Sequence, residues 1–194
     1  MESIALKASL RKETGKKSSK AVRAQESIPC VLYGGKENVN FFAAESAFRH
    51  LIYTPKVYVV EIDIDGNNHH AIIKDLQFHP VTDQLLHVDF YAVSDQKPVT
   101  VEIPVKLNGS SVGIREGGKL VMDKHKVKVK GLARDIPAEI EIDITELGIG
   151  KSIRAGEIIT DGKYKVVLSK ETPIVSVRTT RAAAAAALEA AKQA

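Results

Sequence analysis

Apolar and polar residues alternate along this chain in short runs, a rhythm that predicts strands far more often than helices. Ile4–Leu10 reads as a short strand, and Cys30-Val31-Leu32-Tyr33, after Pro29, reads as a buried one. Between them, residues 14–20 (TGKKSSK) lack helical periodicity and read as a Gly/Ser/Lys loop, with a short helical turn over 21–25. Gly34-Gly35 forces a turn, because paired glycines reach positive φ without strain. Residues 44–53 place Ala47, Phe48, Leu51 and Ile52 at helical spacing, with Ser46 as the expected cap. A hairpin follows. Tyr58, Val60, Ile62 and Ile64 share one face, with Glu61, Asp63 and Asp65 on the other; Asp65-Gly66-Asn67-Asn68 supplies the turn, and residues 71–78 return. Residues 85–92 (LLHVDFYA) form a further strand.

Residues 93–98 (VSDQKP) change to polar turn types and mark the expected domain boundary. Beyond it Val99, Val101, Ile103, Val105 and Leu107 alternate without a break, and Pro104 predicts an edge strand or a neighbouring bulge. Residues 112–119 are a glycine-rich connector. Lys126, Lys128 and Lys130 interleave with valines, while Glu139, Glu141 and Asp143 interleave with isoleucines. Antiparallel pairing would set Lys130 against Glu139, Lys128 against Glu141 and Lys126 against Asp143, each pair contributing about 0.2–1 kcal/mol. Residues 164–168 and 173–177 complete a second all-β region, and 181–194 form an Ala-rich helical tail without an apolar stripe. The expected organisation is therefore mainly β, with domains at 1–92 and 93–180 and a tail at 181–194.

Composition narrows the class without naming a function. The 194 residues are 44% hydrophobic and 27% charged, near the globular average. The single cysteine, Cys30, excludes an internal disulfide framework and suits a reducing compartment. Residues 1–10 lack the apolar stretch of a signal peptide, and nothing approaches the roughly 20 apolar residues of a membrane helix. A soluble cytoplasmic protein is expected. The net charge of +4 permits a polyanionic partner without demanding one, so its placement matters more. Residues 1–92 hold 11 basic and 11 acidic groups, yet six of the basic ones (Arg11, Lys12, Lys16, Lys17, Lys20, Arg23) fall within 11–23 against Glu13 alone.

The catalytic candidates are weak. Asp63–Asn67 resembles a calcium loop only at its start, lacks the closing Glu and sits on a hairpin signal. His69-His70, His79 and His87 have no second cysteine to help bind a metal, and adjacent histidines share one ion poorly. The regular alternation of Glu139, Glu141 and Asp143 fits a solvated sheet face better than an acid/base pair. Gly34-Gly35-Lys36 lacks phosphate-loop spacing, and Cys30 reads as an inert buried thiol. No enzyme and no cofactor are expected. The basic segment is stronger: Lys and Arg neutralise phosphates, Ser18 and Ser19 offer hydroxyls, Gly15 permits close approach, and Tyr33 adds a ring. Structured RNA is read largely by shape through phosphate, ribose and base-edge contacts.

Arg11-Lys12-Glu13-Thr14-Gly15-Lys16, then Arg23, Pro29 and Tyr33-Gly34-Gly35-Lys36, resembles the opening of a 5S-rRNA-binding family. That family is ribosomal protein twenty-five of the bacterial large subunit, related to the general stress protein CTC. Asp75-Leu76-Gln77-Phe78-His79-Pro80 and Leu86-His87-Val88-Asp89-Phe90 look like the same domain's closing signature. Gly113–Gly118 and Ile136–Asp143 resemble the C-terminal domain of the two-domain form, so the resemblance spans about residues 4–178. It implies an N-terminal small β-barrel with short helices, similar to the anticodon-binding barrels of glutaminyl-tRNA synthetase, and a C-terminal all-β domain. It also implies binding to the loop E region of 5S rRNA, within reach of other large-subunit rRNA and ribosomal proteins. By motif, Arg11, Lys12, Lys16, Ser19, Lys20 and Arg23 would meet phosphate and ribose, while Tyr33, Gln77, His79, His87 and Asp89 would line the same surface. Asp89 would accept from a base amino group or a 2′-hydroxyl, orient Arg11, or partner a neighbouring strand. Two other function classes stand beside this one: a stress-linked regulator acting off the ribosome, and a hydrolase or metal enzyme in the β-rich half.

Overall fold

The computed structural model describes residues 2–35, 37–94, 96–160 and 162–180. The expected tail, 181–194, lies outside the described residues, as does Lys36 of the Tyr33–Lys36 motif. The chain divides into two compact units, one built from residues up to Val101 with Gly131–Ala138, the other from Glu102–Lys130 and the chain from Glu139 onward.

The first unit holds six strands: β1 (Ser3–Leu10), β2 (Ser27–Tyr33), β3 (Val39–Ala44), β4 (Val59–Ile64), β5 (Asn67–Phe78) and β6 (Leu85–Ala92). They close into a barrel in the order β1-β3-β2-β6-β5-β4, which leaves no open edge. Closure uses a parallel seam, with Ile4 opposite Val60 and Ala8 opposite Ile64. Period-2 alternation sends Leu6, Cys30, Leu32, Phe41, Val60, Ile62, Val88 and Phe90 inward, all buried. The Phe41 and Phe48 rings tilt against Phe90 at 5.6 and 6.5 Å. The hairpin turn is tighter than expected. Asp65 (φ 49°) and Gly66 (φ 90°) alone form it, because Ile64 already pairs with Asn67. Two consecutive positive φ angles mark the turn whose twist matches the strands.

Two helices flank the strands, and both differ from the expectation. α1 (Lys16–Ala24) is a full helix where the sequence predicts a loop over 14–20 and only a short helical turn over 21–25. It buries no residue, so the apolar period that reveals helices is missing; Gly15 (φ 115°) starts it and polar contacts hold it. α2 (Glu45–Ile52) begins after Ala44 rather than at Ser46, without a side-chain cap. Burial of Phe48 and Leu51 sets this helix, and the Glu45 N–H donates to the Glu26 carbonyl at 2.9 Å instead.

β7 (Val99–Asn108) leads into the second unit, with β8 (Lys119–Met122), β9 (Lys126–Gly131), β10 (Ile140–Asp143), β11 (Ser152–Arg154), β12 (Tyr164–Val166) and β13 (Pro173–Arg178). One sheet runs β10-β7-β9-β12 and the other β11-β13-β8. The expected antiparallel pairing of the Lys-rich and Glu-rich strands is wrong, because β7 lies between them. β10 runs parallel to β7, with Ile140 opposite Val105 and Glu141 opposite Lys106. Alternation decides which face a residue takes, but not which strand lies next to it. Pro104 does not put β7 at an edge. It falls one residue before the stretch paired with β10, where its missing N–H costs nothing on that side. The glycine-rich connector contains a one-turn helix, α3 (Val112–Arg115), where a Cβ on Gly113 would lie 2.8 Å from the backbone of Gly148 and Ile149.

Candidate nucleic-acid interface

The barrel's registers bring the predicted residues onto one outer surface. Buried Phe41, Cys30 and Val88 and partly buried Leu76 lie in line across β3, β2, β6 and β5. One residue along, the row Asn40, Val31, Asp89, Asp75 must therefore face outward. The Arg11 N–H donates to the Asn40 carbonyl at 2.9 Å, which joins Arg11 to the end of this row. Tyr33 stands two residues beyond Val31 on the same face, and His87, two residues before Asp89, pairs with Gln77, two residues after Asp75.

α1 is fastened beside this surface at both ends. The half-buried Arg11 donates from Nη2 to Ser19 Oγ at 2.9 Å, Ser18 Oγ at 3.2 Å and the Gly15 carbonyl at 3.4 Å. Its Nε also reaches Ser18 Oγ at 3.3 Å. At the other end, Arg23 Nε donates to the Leu86 carbonyl of β6 at 3.0 Å. Lys16, Lys20 and Arg23 follow i, i+4, i+7 spacing and so share one exposed side of the helix. Lys12 is exposed in the segment entering it. Arg11 thus works as a strut, with its donors on Ser18, Ser19 and Gly15 rather than on Asp89.

Charge on the sheet surface is arranged against its own stability. Asp75 sits directly opposite Asp89, and like charges so placed repel. The register shift between Ile73 and Asp75 re-aims this stretch of β5, a common use of a bulge near a binding surface. His87 Nδ1 lies 2.7 Å from Asp89 Oδ1 but off the line a ring N–H needs, so the contact is a close approach without an aligned hydrogen bond. Partial desolvation raises the Tyr33 phenol above its ordinary pKa, and the negative charges of Asp89 and Asp75 add to this. Tyr33 therefore stays a neutral donor. His79 lies beyond Gln77 in the β5–β6 loop, where its Nδ1 accepts the Val81 and Thr82 N–H groups at 3.3 and 3.2 Å. That fixes the tautomer and leaves Nε2–H as the outward donor.

The geometry adds two residues to this surface that the sequence reading did not place there, Asp75 and Tyr91. Asp75 and Tyr91 share faces with Gln77 and Asp89 by simple alternation, a signal readable in the sequence. Tyr91 meets Tyr33 edge to face, with centroids 5.8 Å apart at 81°. Its ring lies over Gly34, where a Cβ would come within 2.6 Å of it.

The Ribosomal L25p family profile matches residues 6–90, and that of the Ribosomal protein TL5 C-terminal domain matches residues 98–181. A large ribosomal subunit protein bL25 of Phocaeicola vulgatus is 43% identical over 199 residues, covering 99% of this chain and 100% of the relative. The chain belongs to the ribosomal L25p family. Another large ribosomal subunit protein bL25, from Porphyromonas gingivalis, is 44% identical over 191 residues, covering 97% of this chain and 99% of that one. One from Bacteroides thetaiotaomicron is 42% identical over 197 residues. These relatives are named as ribosomal proteins, a non-enzymatic family, and the barrel and second β unit of this L25p member have the mainly β class expected of it.

Proposed function

We propose that this protein is a structural constituent of the bacterial large ribosomal subunit in the cytoplasm, where its barrel, residues 1–92, binds the loop E region of 5S rRNA. The β domain at 93–180 follows it as a separate module facing neighbouring rRNA and ribosomal protein. The reading is carried by one observation: the outward row from Arg11 through Asn40, Val31 and Asp89 to Asp75, with the α1 cations fastened beside it. Lys12, Lys16, Lys20 and Arg23 meet phosphates, which position the protein without reading sequence. Tyr33, Gln77, His79 Nε2 and His87 offer hydrogen-bond donors and a ring to ribose and base edges. Asp89 and Asp75 accept hydrogen bonds, which a groove lined with 2′-hydroxyls and base amino groups supplies and a bare phosphate chain does not. A mixed surface of this kind binds by helping to anchor a folded RNA, without catalysis, membrane or small-molecule substrate.

The test is binding of labelled 5S rRNA by the full chain across a salt series. With about five phosphate contacts, log affinity falls against log salt with a slope of roughly −3.5 to −4.5. A flat salt dependence, or equal affinity for an unrelated RNA duplex, overturns the reading. Co-sedimentation with large subunits at moderate salt tests assembly separately.

A further inference from the structure

We infer that the second unit carries an RNA-backbone contact surface of its own, a lysine stripe along β9 and β12. In β9, Val127 and Val129 are fully buried, so the intervening Lys126, Lys128 and Lys130 all point outward. Lys165 is the exposed residue of the neighbouring strand β12, and the Val167 N–H bond to the Lys128 carbonyl holds the two strands together. Alternate strand residues stand roughly 6.8 Å apart, a step comparable to that between successive phosphates of an RNA strand.

The same sheet shows what neutralisation looks like, and the stripe lacks it. Across β7 and β10, Lys106 Nζ lies 3.2 Å from Glu139 and 3.1 Å from Glu141. Asn108 adds a 2.8 Å bond to Glu141. Those carboxylates are the ones whose sequence pattern matched the β9 lysines, but β7 stands between the two strands. Among the described residues Lys126, Lys130 and Lys165 have no carboxylate within ion-pair distance. Lys128 has only Glu102 at 3.5 Å, both side chains more than half exposed, which screens the pair. One side of the sheet face is thus internally balanced, and the other is a row of largely uncompensated cations, beside which Val167, just past β12 and 52% exposed, is an apolar neighbour. A protein partner of ordinary affinity takes a cluster of aromatic or large aliphatic anchors, and one valine beside four lysines does not supply it. A polyphosphate backbone needs only spaced cations. The stripe therefore fits RNA phosphates, and it lies on a different unit from the barrel surface.

The experiment uses the full chain with the barrel's four phosphate-facing cations removed (Lys12→Gln, Lys16→Gln, Lys20→Gln, Arg23→Gln), titrated with a labelled RNA duplex of unrelated sequence, about 20 base pairs long. Further substitution of Lys126→Gln, Lys130→Gln and Lys165→Gln should weaken binding at least tenfold and flatten the log–log salt slope by about 2–3. Lys106→Gln, which removes a cation already balanced by carboxylates, should leave both unchanged. The Lys126→Gln and Lys130→Gln single variants, each expected to lose two- to threefold, give the same reading if the triple variant does not fold. Unchanged affinity in the lysine variants, or an equal loss with Lys106→Gln, overturns the inference. So does tighter binding of polyglutamate than of the duplex through the same lysines, which would assign the stripe to an acidic protein.

Discussion

Replacing Gly34 by alanine tests how tightly the aromatic corner of the barrel surface is built. Gly34 has φ of 89°, and an added Cβ would stand 2.6 Å from Cε2 and 2.9 Å from Cδ2 and Cζ of Tyr91. An L-residue in this left-handed region costs about 1–2 kcal/mol from the clash of Cβ with its own backbone. Tyr91 must also swing away, forfeiting its edge-to-face contact with Tyr33, about 0.5–1.5 kcal/mol. Gly34→Ala should therefore destabilise the barrel by about 1.5–3.5 kcal/mol, the sum of the two effects. With two units in the chain, a single unfolding curve is not a safe measure. Native-state hydrogen exchange at β2 and β6 amides reads the barrel's own opening energy. In a Tyr91→Ala background only the backbone penalty remains, so the same change should cost about 1–2 kcal/mol. An equal cost in both backgrounds, or no cost in the parent, would refute the account of the ring filling glycine's vacancy.

Arg11→Ala should loosen α1, speeding exchange of the Ser19 amide by the equivalent of about 1–2 kcal/mol, and should lower 5S rRNA affinity in step. Weaker binding with α1 exchange unchanged would argue against the strut role. Asp89→Asn should stabilise the barrel by about 0.2–1 kcal/mol through relief of repulsion with Asp75, while weakening RNA binding by about 1–3 kcal/mol. Parallel loss of stability and affinity would contradict that trade. In the second unit, Lys106 and then Asn108 hold the Glu141 carboxyl below its ordinary pKa of 4.5, and Thr145 holds Asp143 below 3.8. A depressed folded-state pKa gives stability that is present above the unfolded value and lost as pH falls through the folded one. Exchange protection of β10 should thus decline with acid from about pH 4.5 downward, and Lys106→Met should shrink that decline; an unaltered acid profile would sink the assignment. Burial pushes the Cys30 thiol well above its ordinary range, so thiol reagents should label it only on unfolding. Rapid labelling of the native protein would show the barrel to be open there.

How much was legible depends on the range of the interaction concerned. The period-2 runs at 58–64, 85–92 and 99–107 carried their strands, because alternation records one face against a core and the other against water. The hairpin was readable from Asp65-Gly66, since only residues tolerant of positive φ can occupy that turn. Motif resemblance singled out Arg11, Lys16, Ser19, Arg23, Tyr33, Gln77, His87 and Asp89, which the fold brings to one side of the barrel, without showing how they meet. α1 was missed for the converse reason. Its polar fastenings by Arg11 and Arg23 leave no periodic trace, and residues 14–20 looked like a loop.

The chain order alone settled what each strand would do with its two faces, because that pattern is written in neighbours one and two residues apart. Which strands lie side by side is a matter of topology, decided by barrel closure and by β7 coming between β9 and β10. Hence the sequence could show a lysine strand and a glutamate strand of matching rhythm, yet only the tertiary structure could reveal that they never touch. The same folding set Asp75 against Asp89 and laid Tyr91 over Gly34. Contacts between residues distant in sequence depend on where the whole chain goes, and local pattern does not contain that information.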